Sequence, residues 1–61
     1  MKTWFILRRY EFGGCIRNIA VDAKNTEELL NRGFLKGDVV KIITEESDYI
    51  YRHYNEVYTA N

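Results

Sequence analysis

Residues 37–44 have the sequence Gly-Asp-Val-Val-Lys-Ile-Ile-Thr, and this stretch says most about the fold. Side chains alternate between the two faces of a β-strand, so Val40 and Ile42 would point to one face, and Val39 and Ile43 to the other. Both faces are therefore apolar. A run of β-branched residues with two apolar faces is typical of a strand that is buried on both sides. The pattern predicts the central strand of a β-sheet.

The chain has 61 residues, which is enough for one domain, and we predict that residues 1–61 form a single small α+β domain. Hydrophobic residues make up 46% of the sequence and charged residues 30%, a balance that indicates a folded rather than a disordered chain. Cys15 is the only cysteine, so an intramolecular disulfide cannot stabilise the fold. Self-association is another way to bury additional surface.

Two runs rich in aromatic and β-branched residues, 3–12 and 15–21, flank Gly13 and Gly14. Both glycines can adopt the positive φ angle that tight hairpin turns require, so the pattern predicts a β-hairpin.

The register of this hairpin stays open between two alternatives. A two-residue loop would place Phe12 opposite Cys15 and Tyr10 opposite Arg17. A three-residue connection would instead place Glu11 opposite Arg17, which changes the second-strand residues that share a face with the first strand.

A short helix follows the hairpin. Asn25 with Glu28 three residues later resembles a capping box, and Arg32 followed by Gly33 suits a helix end. We expect about two turns of helix, with the leucines at 29–30 facing the sheet.

The acidic stretch 45–48 is typical of a turn, and residues 49–54 are then predicted to form a final strand with Tyr49, Tyr51 and His53 on one face. The expected fold is α+β, a small β-β-α-β-β domain with a four-stranded, largely antiparallel sheet and one short helix on one face. Because one short helix covers one face only, we expect apolar and aromatic side chains to be accessible on the other face.

Aromatic residues and arginines dominate the candidate binding residues. Tyr, Trp and Arg are the residue types that contribute most to protein–protein interfaces. We therefore predict a non-enzymatic protein-interaction domain, a regulatory or accessory protein that binds another protein or a second copy of itself as a homodimer. The candidate partner-binding residues are Trp4, Arg8, Tyr10, Arg17, Tyr49, Tyr51 and His53.

The alternative is a nucleic-acid-binding protein that uses the basic N-terminal hairpin. Residues 1–20 carry four cations and one acid, which gives +3, while the remainder carries five cations and eight acids, which gives −3. Aromatic side chains in such a surface stack on bases, at roughly 1–3 kcal/mol for each base. Against this, the net charge of zero removes long-range attraction to phosphates. The candidate residues are Arg8, Arg9, Tyr10 and Arg17.

The sequence gives no indication of an enzyme, because His53 has no neighbouring nucleophile and Cys15 falls in a predicted strand. We expect no catalytic residue, no metal and no cofactor. Arg8 and Arg9 end the apolar run 4–7 after four residues, too early for a signal peptide or a membrane span. The prediction is a cytoplasmic protein with no membrane partner.

Residues 30–42, Leu-Asn-Arg-Gly-Phe-Leu-Lys-Gly-Asp-Val-Val-Lys-Ile, resemble the short helix, Gly-Asp turn and strand of the swapped-hairpin transcription factors and antitoxins. The resemblance implies an intertwined DNA-binding dimer. The isoleucine-proline element of that family has no counterpart, because the chain contains no proline, and no family is assigned.

Overall fold

The computed structural model describes residues 1–11, 13–14 and 16–60. Four strands form one sheet in the order β3-β1-β2-β4. β1 is antiparallel to β2 and to β3, whereas β4 runs parallel to β2. The α+β class and the four-stranded, largely antiparallel sheet are confirmed. The elements are β1 (Lys2–Tyr10), β2 (Ile16–Asp22), α1 (Thr26–Asn31), a 3-10 turn (Lys36–Asp38), β3 (Val39–Glu45), α2 (Ser47–His53) and β4 (Val57–Tyr58).

The sheet is built around β1 rather than around residues 37–44. β1 has strands on both sides, and its segment 4–7 is buried on both faces. β3 is an edge strand, and Ile42 on it is 56% exposed. The predicted central position of 37–44 is therefore wrong. The apolar residues of this strand still contribute to the core, because Val39 and Ile43 each pack at the margin of a core cluster, one on each face of the sheet.

The predicted hairpin between β1 and β2 is confirmed, but neither predicted register is correct. Tyr10 lies opposite Ile16 and Arg9 lies opposite Arg17. The proposed pairing of Phe12 with Cys15 falls outside the described residues.

A longer connection explains the register. The N–H of Gly14 donates to the carbonyl of Glu11 at 3.1 Å. Gly13 and Gly14 have φ angles of +91° and +84°, values that glycine adopts without strain. The diglycine thus forms part of a turn as expected, but residues 11–15 together separate the paired strand ends.

The capping residues of α1 are where the sequence predicts them. The Oδ1 atom of Asn25 accepts a hydrogen bond from the N–H of Glu28 at 2.9 Å, and Gly33 has a φ of +92°. Leu29 is fully buried, whereas Leu30 is exposed, so the prediction that both leucines face the sheet is wrong for Leu30. Adjacent residues differ by about 100° around a helix, and a helix this short buries only a narrow stripe.

Residues 49–54 form most of helix α2 and its C-terminal cap, not a strand, and the prediction of a final strand there is wrong. Ile50 and Tyr54, four residues apart, both pack on the core cluster around Trp4. Asp48 lies in the first turn and Arg52 in the last, where each charge is favourable to the helix dipole. Packing and end charges thus outweigh the strand preference of Tyr and Ile.

Both faces of the sheet are covered, which corrects the expectation that one face lacks a cover. Helix α1 adds Leu29 to one cluster and helix α2 adds Ile50 to the other. The first cluster contains Phe5, Leu7, Ile19, Val21, Ala23 and Leu29; the second contains Trp4, Ile6, Ala20 and Ile50. Accessible aromatic and apolar side chains therefore lie elsewhere on the molecule.

Candidate protein-binding surface

The β1–β2 hairpin extends beyond the rest of the sheet. The pairing of β1 with β3 ends at Leu7, and β4 pairs with β2 only at Ala20 and Val21. Among the described residues, 8–10 therefore pair as strand only with 16–18, and all six are exposed. We call this two-stranded segment the hairpin arm.

One side of the hairpin arm carries an uncovered apolar pair. Tyr10 and Ile16 lie directly opposite each other and are 61% and 58% exposed. Directly opposed side chains in an antiparallel pair have Cβ atoms about 4.5–5.5 Å apart, so the two form one continuous patch. Arg8 and Asn18, the next pair on that side, add a polar border. These four residues are called the Tyr10 face.

The Tyr10 face continues the side of the sheet that α2 covers. Arg8 and Tyr10 alternate with Trp4 and Ile6 along β1, but the cluster that Ile50 covers ends at Ile6 on this strand. Within residues 1–11, 13–14 and 16–60, Arg8 makes no ion pair. In the described part of the chain, the face therefore presents a positive charge without an ion pair beside an apolar patch.

The other side of the hairpin arm carries Arg9 and Arg17, and both are held by acids. Arg9 pairs with the Glu56 carboxylate and donates to the Tyr58 hydroxyl at 2.6 Å. The Nε atom of Arg17 is 2.5 Å from Glu11, and its guanidinium is 3.6 Å from Glu56. The Tyr58 hydrogen bond and the Glu56 charge raise the pKa of Arg9 above its ordinary value. The two arginines are therefore largely neutralised by local acids.

Trp4 belongs to the core and not to a binding surface. Its side chain is fully buried, and its indole N–H donates to the carbonyl of Glu45 at 3.1 Å. A partner cannot contact it without opening the fold, so we exclude it from the candidate surface.

The three aromatic candidates of the C-terminal segment lie on α2 and do not share one face. Tyr49 and His53 stack, with ring centroids 4.1 Å apart, and the Nδ1 atom of His53 is 2.8 Å from the Tyr49 carbonyl. Tyr51 is also exposed, but it lies about 200° around the helix from Tyr49. The structure thus brings Tyr49 and His53 together, and separates Tyr51 from them.

A cleft of about 330 Å³ lies at the base of the hairpin arm. One wall is the outer part of β1 and the other is the connection after α1, where Leu35 is strongly exposed. Neither Ile16 nor Leu35 is among the residues predicted from the sequence. Ile16 directly follows the hairpin connection, but only the observed register places it opposite Tyr10. The cleft is lined by Leu7, Arg8, Arg9, Tyr10, Ile19, Gly33, Phe34, Leu35 and Asp38.

Comparisons with protein-family models, curated proteins and solved structures find no match for this chain. Among the described residues, no group of three or more His, Cys, Asp or Glu side chains is placed to hold a metal ion. In the same part of the chain, no helix is long and apolar enough to cross a membrane.

Proposed function

We propose that this chain is a non-enzymatic protein-binding domain that contacts another protein through the Tyr10 face of its hairpin arm. The observation that carries the proposal is the opposed pair of Tyr10 and Ile16, both more than half exposed. The chain has an apolar patch here, although both faces of its sheet are covered elsewhere. A regulatory role and a cytoplasmic location remain predictions from the sequence.

The chemistry of the Tyr10 face suits a protein interface. Tyrosine supplies a large contact area while losing the freedom of only two side-chain torsions, and the paired strands hold it in place. Arg8 lies next to the patch and makes no ion pair among the described residues. It can form a bidentate pair with a carboxylate of the partner. We therefore expect a partner surface that combines an apolar pocket with an acidic residue.

The cleft at the base of the arm opens on the opposite side of the sheet from the Tyr10 face, the side that α1 covers. Its floor includes Leu7 and Ile19, which belong to the core, and its rim includes the exposed Leu35. This cleft therefore lies apart from the Tyr10 face and is not part of the proposed contact.

Nucleic-acid binding is the alternative, and the arrangement of charges supports it less. A two-stranded ribbon fits the DNA major groove, and the arm carries Arg8, Arg9 and Arg17. Of these, Arg9 and Arg17 already meet Glu56 and Glu11. Each contact between an arginine and a phosphate contributes to affinity through the release of counterions. Arg9 and Arg17 must first break their ion pairs with acidic residues before they can make such contacts.

The experiment uses the immobilised chain and a lysate of its host, with and without nuclease. A wild-type bait is compared with the Tyr10→Ser/Ile16→Ser variant and with Tyr51→Ser, a matched exposed tyrosine on α2. The proposal predicts proteins that bind wild type and Tyr51→Ser but not the arm variant, after nuclease treatment. Equal retention by all three baits contradicts it.

A second measurement tests the alternative. If nucleic acid is the ligand, the triple variant Arg8→Glu, Arg9→Glu, Arg17→Glu no longer binds a short oligonucleotide, and wild-type affinity falls as salt rises. The absence of wild-type binding to oligonucleotides at low salt removes this alternative.

A further inference from the structure

The outer edge of β3 is open. β3 pairs with β1 on one side, and in the described part of the chain no strand lies on its other side. It is seven residues long, whereas β4, which forms the opposite edge, has only two residues. A long edge exposes a row of backbone donors and acceptors that can bond to another strand.

The regular part of this edge is residues 41–45, which we call the β3 edge. The register between β1 and β3 shifts at Val40, because Ile6 lies opposite Lys41 and Leu7 lies opposite Val39. Such a bulge interrupts regular pairing and limits it to the residues that follow. Five residues are therefore available for regular pairing with another strand.

Two charges on the β3 edge have no ion-pair partner among the described residues. Lys41, Ile43 and Glu45 alternate along the strand and so share one face of the sheet. Lys2, the residue opposite Glu45 in β1, instead bonds to Asp22 at 3.1 Å. Lys41 and Glu45 therefore lie four residues apart on one face, one on each side of Ile43.

We propose that two copies of the chain pair antiparallel through their β3 edges, with the two-fold axis at Ile43. In this register Lys41 of each copy lies opposite Glu45 of the other, which creates two identical ion pairs. Ile43 lies opposite its own copy, and the exposed Ile42 lies opposite Thr44 of the second copy. The two sheets join into one sheet of eight strands.

The neighbouring registers lack this complementarity. Centring the pair on Ile42 places each Lys41 opposite an isoleucine. Centring it on Lys41 places the two lysines opposite each other, which is repulsive. Centring it on Thr44 places each Glu45 opposite an isoleucine. Only the register centred on Ile43 pairs both charges with opposite charges.

This inference does not depend on the proposed function. It uses the open edge of β3 beyond β1, whereas the Tyr10 face is formed by the part of the hairpin that projects past β3. A failure of either proposal leaves the other in place.

Sedimentation equilibrium of the full chain tests the inference through charge reversal. Wild type is expected to form a dimer whose dissociation rises with dilution. Each of the single variants Lys41→Glu and Glu45→Lys creates two pairs of like charges in the dimer, because residue 41 of each copy lies opposite residue 45 of the other. Each variant is expected to raise the dissociation constant of the dimer at least about tenfold. An equimolar mixture of these two variants restores opposite charges at both pairs, so it is expected to form the dimer again.

The double variant Lys41→Glu/Glu45→Lys gives a second check, since it restores both pairs within one chain and is expected to dimerise as wild type does. Lys36 is an exposed lysine outside β3, and Lys36→Glu makes the same change in net charge as Lys41→Glu. It is expected to have no effect on the dissociation constant of the dimer. The inference is overturned if wild type is a monomer at all concentrations. It is equally overturned if the single variants dimerise like wild type, or if their mixture remains monomeric.

Discussion

Trp4 shows how one residue links the core to the sheet edge. It is fully buried against Ile50, and its indole N–H bonds to the carbonyl of Glu45 on β3. An aromatic residue that alternates with Ile6 on a strand could equally face a partner, and the sequence does not distinguish the two cases. Trp4 is buried because helix α2 covers it. The sequence pattern predicts a strand for the residues of α2, so it does not reveal this cover.

Substitution of Trp4 is therefore a test of stability rather than of binding. Trp4→Phe removes part of the ring and the donor to Glu45, and we expect the free energy of unfolding to fall by about 2 kcal/mol. Urea denaturation followed by circular dichroism measures this change. Tyr51→Phe, an exposed aromatic control, is expected to alter it by less than about 0.5 kcal/mol. Equal effects would mean that Trp4 is not in the core.

The helix cap at Asn25 is a residue-scale feature that the sequence predicts correctly. Its hydrogen bond to Glu28 depends on local spacing alone, so no long-range information is needed. Asn25→Ala is expected to reduce the free energy of unfolding by about 1 kcal/mol, while Asn25→Asp retains an acceptor and costs less. Chemical denaturation of both variants measures the difference, and equal losses would contradict the assigned cap.

At the scale of the element, α2 shows why propensity is an incomplete guide. Residues 49–54 contain three tyrosines and an isoleucine, which favours a strand, and the alternation of Tyr49 and Tyr51 strengthens that interpretation. The competing signal is the spacing of Ile50 and Tyr54, four residues apart, which matches one helix face. Residues 49–54 form a helix rather than a strand because the helix places Ile50 and Tyr54 over Trp4 and Ile6. The hairpin and α1 are predictable because turns and caps are local signals.

The contribution of α2 is measured at Ile50. Ile50→Ala leaves a cavity over Trp4, and we expect the free energy of unfolding to fall by about 2–5 kcal/mol. Amide hydrogen exchange is expected to show faster exchange in α2 and in the segment 4–7 than in wild type. If exchange in 4–7 is unchanged, α2 is not the cover of that face.

The whole molecule differs from the sequence prediction in the order of its strands. Two segments, 4–7 and 39–43, carry apolar residues on both faces, and either could be central. Strand order depends on contacts between residues far apart in the chain, so local patterning does not determine it. With β1 at the centre and a helix on each face, the exposed apolar side chains include Tyr10 and Ile16 on the hairpin arm and Ile42 on the β3 edge. Arg8 and Tyr10 of the proposed surface are among the residues predicted from the sequence, whereas the inclusion of Ile16 depends on a register that the sequence leaves open.

The affinity of a partner isolated with the wild-type chain tests the proposed function most directly. Isothermal titration of that partner compares wild type, Tyr10→Ser/Ile16→Ser and Tyr51→Ser, each shown by circular dichroism to be folded. Loss of an interface centre of this kind costs about 2 kcal/mol or more, so we predict at least a roughly 30-fold weaker Kd for the arm variant and an unchanged Kd for Tyr51→Ser. Equal affinity of wild type and the arm variant would contradict binding through the Tyr10 face.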